Sequence, residues 1–132
     1  MQVIDDGHCF ICGTNNPIGL HATFTTDPQR GSAETRVRIP EHFQGWQGVS
    51  HGGILSALLD EVCAQACMAR GLQVVTSEMR LRYRKPVPTG SEVAVTGAIV
   101  GERRRLIDLR GSIELNGQVV AEAEVIMYNL QG

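Results

Sequence analysis

A histidine and two glycines, His51-Gly52-Gly53, stand directly before a stretch of helical periodicity, and an acid pair, Asp60-Glu61, follows two turns later. Glycines at a helix start leave backbone N–H groups uncovered by side chains, so a carbonyl oxygen or an anion can come close to them. The positive end of the helix dipole adds to that attraction. The chemistry such a place offers is stabilisation of an oxyanion. The acids raise a separate question, because an unpaired charge on a buried helix is costly and Asp has poor helix propensity. Adjacent helix positions point about 100° apart, so at most one of the two acids faces a given pocket. The plainer alternative leaves one of them in solvent or in an ion pair with an arginine of a neighbouring strand.

Other clusters compete for attention. His8, Cys9 and Cys12 join a Cys-x-x-Cys to a nearby histidine, a spacing that invites zinc. A structural zinc site wants four ligands, and His21 is the plausible fourth. Cysteines packed against the core or a sheet edge account for the same residues without an ion, and on that reading no metal and no cofactor is expected. Cys63 and Cys67 have the spacing of core neighbours on one helix face, so all four cysteines are expected as reduced thiols. Arg80, Arg82 and Arg84 alternate with Met79, Leu81 and Tyr83, which gives one strand a basic face and an apolar face. Most such stripes are solvated.

These groups need a scaffold, and the hydrophobic pattern supplies one. From Ile54 the apolar residues recur at Leu55, Leu58, Leu59, Val62, Ala66 and Ala69, tracking a period of about 3.6, and Arg70-Gly71 ends the run with a cation and a glycine stop. So many small positions predict a helix buried on most sides. Before it, Leu20, Ala22, Phe24 and then Val37, Ile39 alternate on either side of Asp27-Pro28-Gln29-Arg30-Gly31, a candidate hairpin. After it come four strand-like segments: 73–83, 92–100, 106–115 and 119–128. Gly101-Glu102 separates the second from the third, and Asn116-Gly117, the strongest hairpin signal in the chain, separates the third from the last. Two strands, a helix and four strands in a meander make an α+β domain. Residues 1–17, rich in Gly, Asn and Cys, form a leader, and residues 18–132 the domain.

Composition removes several function classes. The 132 residues suit one domain, and 42% hydrophobic with 20% charged residues is the balance of a folded globule. A net charge of −2 lacks the basic surplus of a nucleic-acid binder. No run approaches the roughly 20 apolar residues of a membrane span, and the first residues lack the order of a secretory signal. No membrane association and a cytoplasmic location are the resulting expectations.

Gln44-Gly45, His51-Gly52-Gly53, Asp60-Glu61, Tyr83-Arg84-Lys85-Pro86-Val87-Pro88 and Gly90, taken together, resemble the hotdog-fold thioesterases of the phenylacetyl-CoA-degradation type. The likeness runs from about Gly19 to Tyr128. It implies an antiparallel sheet of five to six strands wrapped around one long central helix, homodimers paired into tetramers, and active sites between subunits. It further implies hydrolysis of an acyl-CoA, with Asp60 as nucleophile or general base, the Gly52 N–H on the thioester oxygen, and His51 orienting the loop or the leaving group. Gly52 and Asp60 lie about 12 Å apart along one helix, too far to serve one carbonyl, so a second copy is required. Relatives carry an Asn or Gln where this chain has Gly45, and Gln44 is the preferred substitute, ahead of Gln47. Gly53, Glu61 and Trp46 are candidates for the substrate wall, with His42 beside them. Arg84, Lys85, Arg103 and Arg104 are candidates for the coenzyme A phosphates. Two other functions fit the same fold: a dehydratase or hydratase acting on acyl thioesters, and a non-catalytic acyl-CoA-binding module.

Overall fold

The computed structural model describes residues 1–131. Helix α1 spans Gly52–Met68, and its Leu55, Leu58, Leu59, Val62, Cys63, Ala66 and Cys67 are buried. No residue from Ile54 to Cys67 is fully exposed, so the whole girdle of the helix is at least partly covered. Gly71, at a φ of 76°, turns the chain away beyond the last turn, and Leu72 N–H reaches back to the Cys67 carbonyl at 3.3 Å.

Strands β1 (Thr25–Asp27), β2 (Ser32–Arg38), β3 (Val74–Tyr83), β4 (Glu92–Arg103), β5 (Leu106–Leu115) and β6 (Gln118–Asn129) form one antiparallel sheet in the order β1-β2-β4-β5-β6-β3. The expected four-strand meander is therefore corrected: β4, β5 and β6 follow one another, but β3 pairs with β6 at the far edge and β4 lies beside β2. The connection from β3 to β4 holds Pro86 and Pro88, which cannot make a tight hairpin. It crosses instead to the helix start, where Ser50 N–H donates to the Val87 carbonyl at 2.8 Å.

Two further expectations shift. The first strand begins at Thr25 rather than near Leu20, because Leu20 and Ala22 donate their N–H groups to Phe10 and Ile11 of the leader, and His21 takes a φ of 55°. The turn before β5 falls at Arg104-Arg105, not at Gly101-Glu102. Gly101 instead follows a bulge inside β4, where the register slips and Val100 swings out to 58% exposure. Asn116 and Gly117 do form the tight turn, at φ 51° and 79°.

The helix settles on a row of small residues. Ala33, Gly97, Gly111 and Ala123 are direct cross-strand partners on β2, β4, β5 and β6. A methyl group on Gly97 would stand 2.9 Å from Val62 Cγ1 and 3.2 Å from its backbone carbon, and one on Gly111 would stand 3.2 Å from Leu59 Cδ2. A side chain at Gly97 would press on the helix backbone and lift it off the sheet, whereas one at Gly111 would meet the ends of helix side chains. The leader shares this core, since Ile11 is 4% exposed within it.

Candidate active site

The segment before α1 folds back on itself, and that return sets the helix start. His51 N–H donates to the Phe43 carbonyl, Gln44 pairs with Ser50, and Gly45 N–H donates to the Val49 carbonyl. Gly45 lies against the His51 ring, where a Cβ would come within 3.3 Å of Cδ2. His51 is the N-cap of α1, and its Nδ1 accepts from Gly53 N–H at 2.8 Å. A backbone amide can only donate, so Nδ1 is unprotonated and the ring proton sits on Nε2. Gly53 must be small, because a Cβ would stand 2.9 Å from that Nδ1.

With the Gly53 amide engaged, Gly52 holds the free one: among the described residues nothing accepts from its N–H. The Gly52 carbonyl accepts from Tyr83 Oη at 2.8 Å, and the tyrosine ring lies over the residue. In the sequence Tyr83 stands out only as part of a motif. Its partner lies 31 residues away, and no local pattern announces that contact.

Asp60 and Glu61 diverge as their adjacent helix positions require. Asp60 is half-buried toward β3, and its Oδ1 accepts from Thr76 Oγ1 at 2.5 Å. Thr76 borders a bulge in β3, another partner that sequence reading misses. Glu61 turns to a different side, toward the leader. Its Oε1 accepts from the Cys9 thiol at 3.5 Å and its Oε2 from Gln65 Nε2 at 2.8 Å. The Cys12 thiol joins the same cluster, and burial, with Glu61 and Cys9 beside it, pushes it well above the usual thiol range. His8 pairs with Asp6, and His21 Nε2 bonds the Asn16 carbonyl, so neither histidine belongs to the cluster.

The remaining candidates are dispersed in the single chain. Gln44 Oε1 accepts from Gly48 N–H at 2.9 Å, bracing the loop whose tip carries Trp46 at 84% exposure. Exposed His42 packs on the Phe43 ring. Arg84 ion-pairs with Glu122 and Lys85 donates to Gln118, both just beyond Tyr83 and so near the helix start. Arg103 forms a two-pronged pair with Asp108, holding that carboxyl below its usual range. Arg103 and Arg104 lie toward the opposite end of the helix, where Glu102 pairs with Arg70 at 3.7 Å.

A concavity of about 1000 Å³ lies on the sheet face turned away from α1, among Arg80, Arg82, Arg110, Glu122 and Glu124. Neither it nor the two smaller grooves on the sheet is lined by His51, Gly52 or Asp60. In one chain His51 is exposed, while Gly52 and Asp60 are half-buried. Beside them β3 presents an unpaired edge of 10 residues. Among the described residues no helix is long and apolar enough to cross a membrane.

The family model of the thioesterase superfamily matches residues 47–126, from the loop before the helix start into β6. Acyl-coenzyme A thioesterase 13 of Mus musculus is 26% identical over 92 residues, 65% of this chain and 64% of the relative. The match thus spans less than two thirds of the mouse protein. Its Homo sapiens counterpart is 24% identical over 98 residues, covering 70% and 69% of the two chains. Among solved structures, a thioesterase superfamily protein superposes with a TM-score of 0.87 at 25% identity, covering 98% of this chain and 68% of its own. A mutant of the phenylacetic acid degradation protein PaaI from Thermus thermophilus gives 0.77 at 26% identity, covering 84% and 95%. One helix laid in a six-stranded antiparallel sheet, with a family match across the helix start and the acid pair, makes this chain a member of the thioesterase superfamily with the hotdog fold.

Proposed function

We propose that the protein is an acyl-CoA thioesterase acting as a homodimer, with each active site built from two copies. The observation that carries this reading is the free Gly52 N–H at the helix start, with a half-buried carboxylate, Asp60, two turns along the same helix. The two lie about 12 Å apart along one axis, and neither lines the concavities on the sheet. A second chain joined along the open β3 edge supplies a wall and brings its own Asp60 toward the first chain's Gly52. The relatives named as acyl-coenzyme A thioesterases support the substrate class.

In this mechanism the Gly52 amide and the helix dipole receive the negative charge that grows on the thioester oxygen. Asp60 either takes a proton from the attacking water or adds to the carbonyl itself. In both routes the C–S bond breaks and the thiolate of coenzyme A leaves and is protonated, in the first by the proton Asp60 took from water; in the second, water then hydrolyses the mixed anhydride on Asp60, releasing the acid and restoring the carboxylate. Thr76, donating to Asp60, is a positioning residue that aims the carboxylate. His51 secures the helix start through Nδ1 and offers its Nε2–H toward the leaving side. Gln44, Trp46 and Gly53 shape the mouth of the site. Arg84, Lys85, Arg103 and Arg104 are the cations assigned to phosphate, Arg84 and Arg103 on exchanging their ion pairs with Glu122 and Asp108, and Arg103 and Arg104 reaching the site from the second copy. Such dimers pairing into tetramers, and a cytoplasmic setting for four free thiols, complete the proposal.

The test is thiol release from a panel of acyl-CoAs, followed by mixing of two inactive variants, Asp60→Asn and Gly52→Pro. Each lesion leaves one intact half-site, so a mixed dimer regains activity only if the two residues come from different chains. Failure of every mixture to recover, with dimers shown to exchange, rules out the shared site.

A further inference from the structure

We propose that Cys9, Cys12 and Glu61 bind a single zinc-class divalent cation that staples the leader to helix α1. The two sulfurs and a carboxylate oxygen lie within 4.8 Å of one another, all partly buried. Zinc with bonds of about 2.3 Å to sulfur and about 2.1 Å to oxygen, in a tetrahedron, needs a sulfur–oxygen edge of about 3.6 Å. The Cys9 Sγ to Glu61 Oε1 distance is 3.5 Å. Little movement separates the cluster from a coordination shell.

The surroundings are those of a ligand set rather than of packed thiols. Ile11 and Cys12 both point backbone N–H groups at Cys9 Sγ, each at 3.4 Å, an arrangement that stabilises a thiolate. Gln65 holds the other oxygen of Glu61 and so fixes the orientation of the carboxylate. Gly13, whose N–H closes the turn on the Cys9 carbonyl, allows no side chain, because a Cβ there would meet the Cys9 backbone at 2.3 Å. The turn is thereby held in one shape. Among the described residues no Lys, Arg or His bonds to any of the three groups, so three acidic side chains converge without a protein cation. The fourth corner of the tetrahedron is left to water. Binding exchanges two thiol protons for two sulfur–metal bonds, with no change of oxidation state.

The experiment uses the reduced chain after chelator treatment, titrated with cobalt(II) and then with zinc. The expected result is a thiolate-to-cobalt absorption band that saturates at about one ion per chain, is displaced by zinc, and is accompanied by release of about two protons. Cys9→Ser with Cys12→Ser abolishes the band. Glu61→Gln, nearly identical in shape, keeps a cysteine band but weakens affinity by roughly tenfold or more. Should the cysteine variant fail to fold, the native stoichiometry and the Glu61→Gln affinity still decide. Binding below about one tenth of an ion per chain, affinity unchanged by Glu61→Gln, or a Cys9–Cys12 disulfide as the only chemistry observed would each overturn the site.

Discussion

Replacing Gly97 with alanine probes the contact on which the placement of α1 depends. The new methyl would lie 2.9 Å from Val62 Cγ1, 3.2 Å from the Val62 carbonyl carbon and 3.3 Å from its oxygen. Val62 is fully buried and β-branched, so its side chain has one comfortable rotamer in a helix, and the backbone atoms move only if the helix moves. Overpacking of this kind costs about 1–3 kcal/mol. Alanine regains roughly 0.5–1 kcal/mol over glycine in a strand. The net loss is about 1–2 kcal/mol. Gly111, directly opposite on β5, is the control. Its methyl would meet Leu59 Cδ2 at 3.2 Å and Cys63 Sγ at 3.4 Å, both ends of side chains that can rotate away. For Gly111→Ala clash and propensity nearly cancel, leaving about 0–0.5 kcal/mol. Urea unfolding at one fixed chain concentration compares the two, since association would make the midpoint concentration-dependent. Equal destabilisation by both, or a neutral Gly97→Ala, refutes the claim that backbone proximity and not side-chain crowding sets the helix height.

The other predictions concern the site and the buried thiols. Asp60→Asn lowers kcat on acyl-CoA by roughly 10²-fold or more, while Thr76→Ala, which leaves the carboxylate in place but unaimed, lowers it less; steady-state rates of the two variants check both. Gly53→Ala trades about 1 kcal/mol of lost capping for a gain in helix propensity of similar size, so the melting temperature stays nearly level while turnover falls as the His51 ring is pushed aside. Burial pushes the Cys63 thiol up from 9.0 to about 12 and the Cys67 thiol to about 11. Below pH 9 both folded and unfolded thiols are protonated and nothing is lost. Above it the unfolded chain ionises first, so stability falls as pH rises toward 11 and 12, by about 1.4 kcal/mol per thiol per pH unit. Urea midpoints at pH 8 and pH 10 measure this, and Cys63→Ala should flatten the slope.

The helix and its glycine-rich start were legible because their signals are local: a 3.6-residue period, a stop at Gly71, and small residues after a capping histidine. The Asn116-Gly117 turn was legible for the same reason. Strand order was not, because nothing near β3 says that Thr76 will face Met127 rather than a residue of β4. Local alternation also misplaced the first strand, since it cannot show that the leader has already claimed the amides of Leu20 and Ala22. Gly97 and Gly111 do carry a local signal, since a glycine inside a strand often marks the close approach of another backbone. The partners of Asp60 and Glu61 are 16 and 52 residues away, and only the folded chain brings them together.

The divergence of the two neighbouring acids makes α1 behave like an axle with two spokes. One spoke engages Thr76 on the sheet edge, and the other engages the cysteines of the leader. Because both are fixed to consecutive positions of one rigid backbone, any twist that relieves one engagement must load the other. A disturbance of the first dozen residues would thus be felt as a change in the aim of Asp60, without any part of the leader touching it.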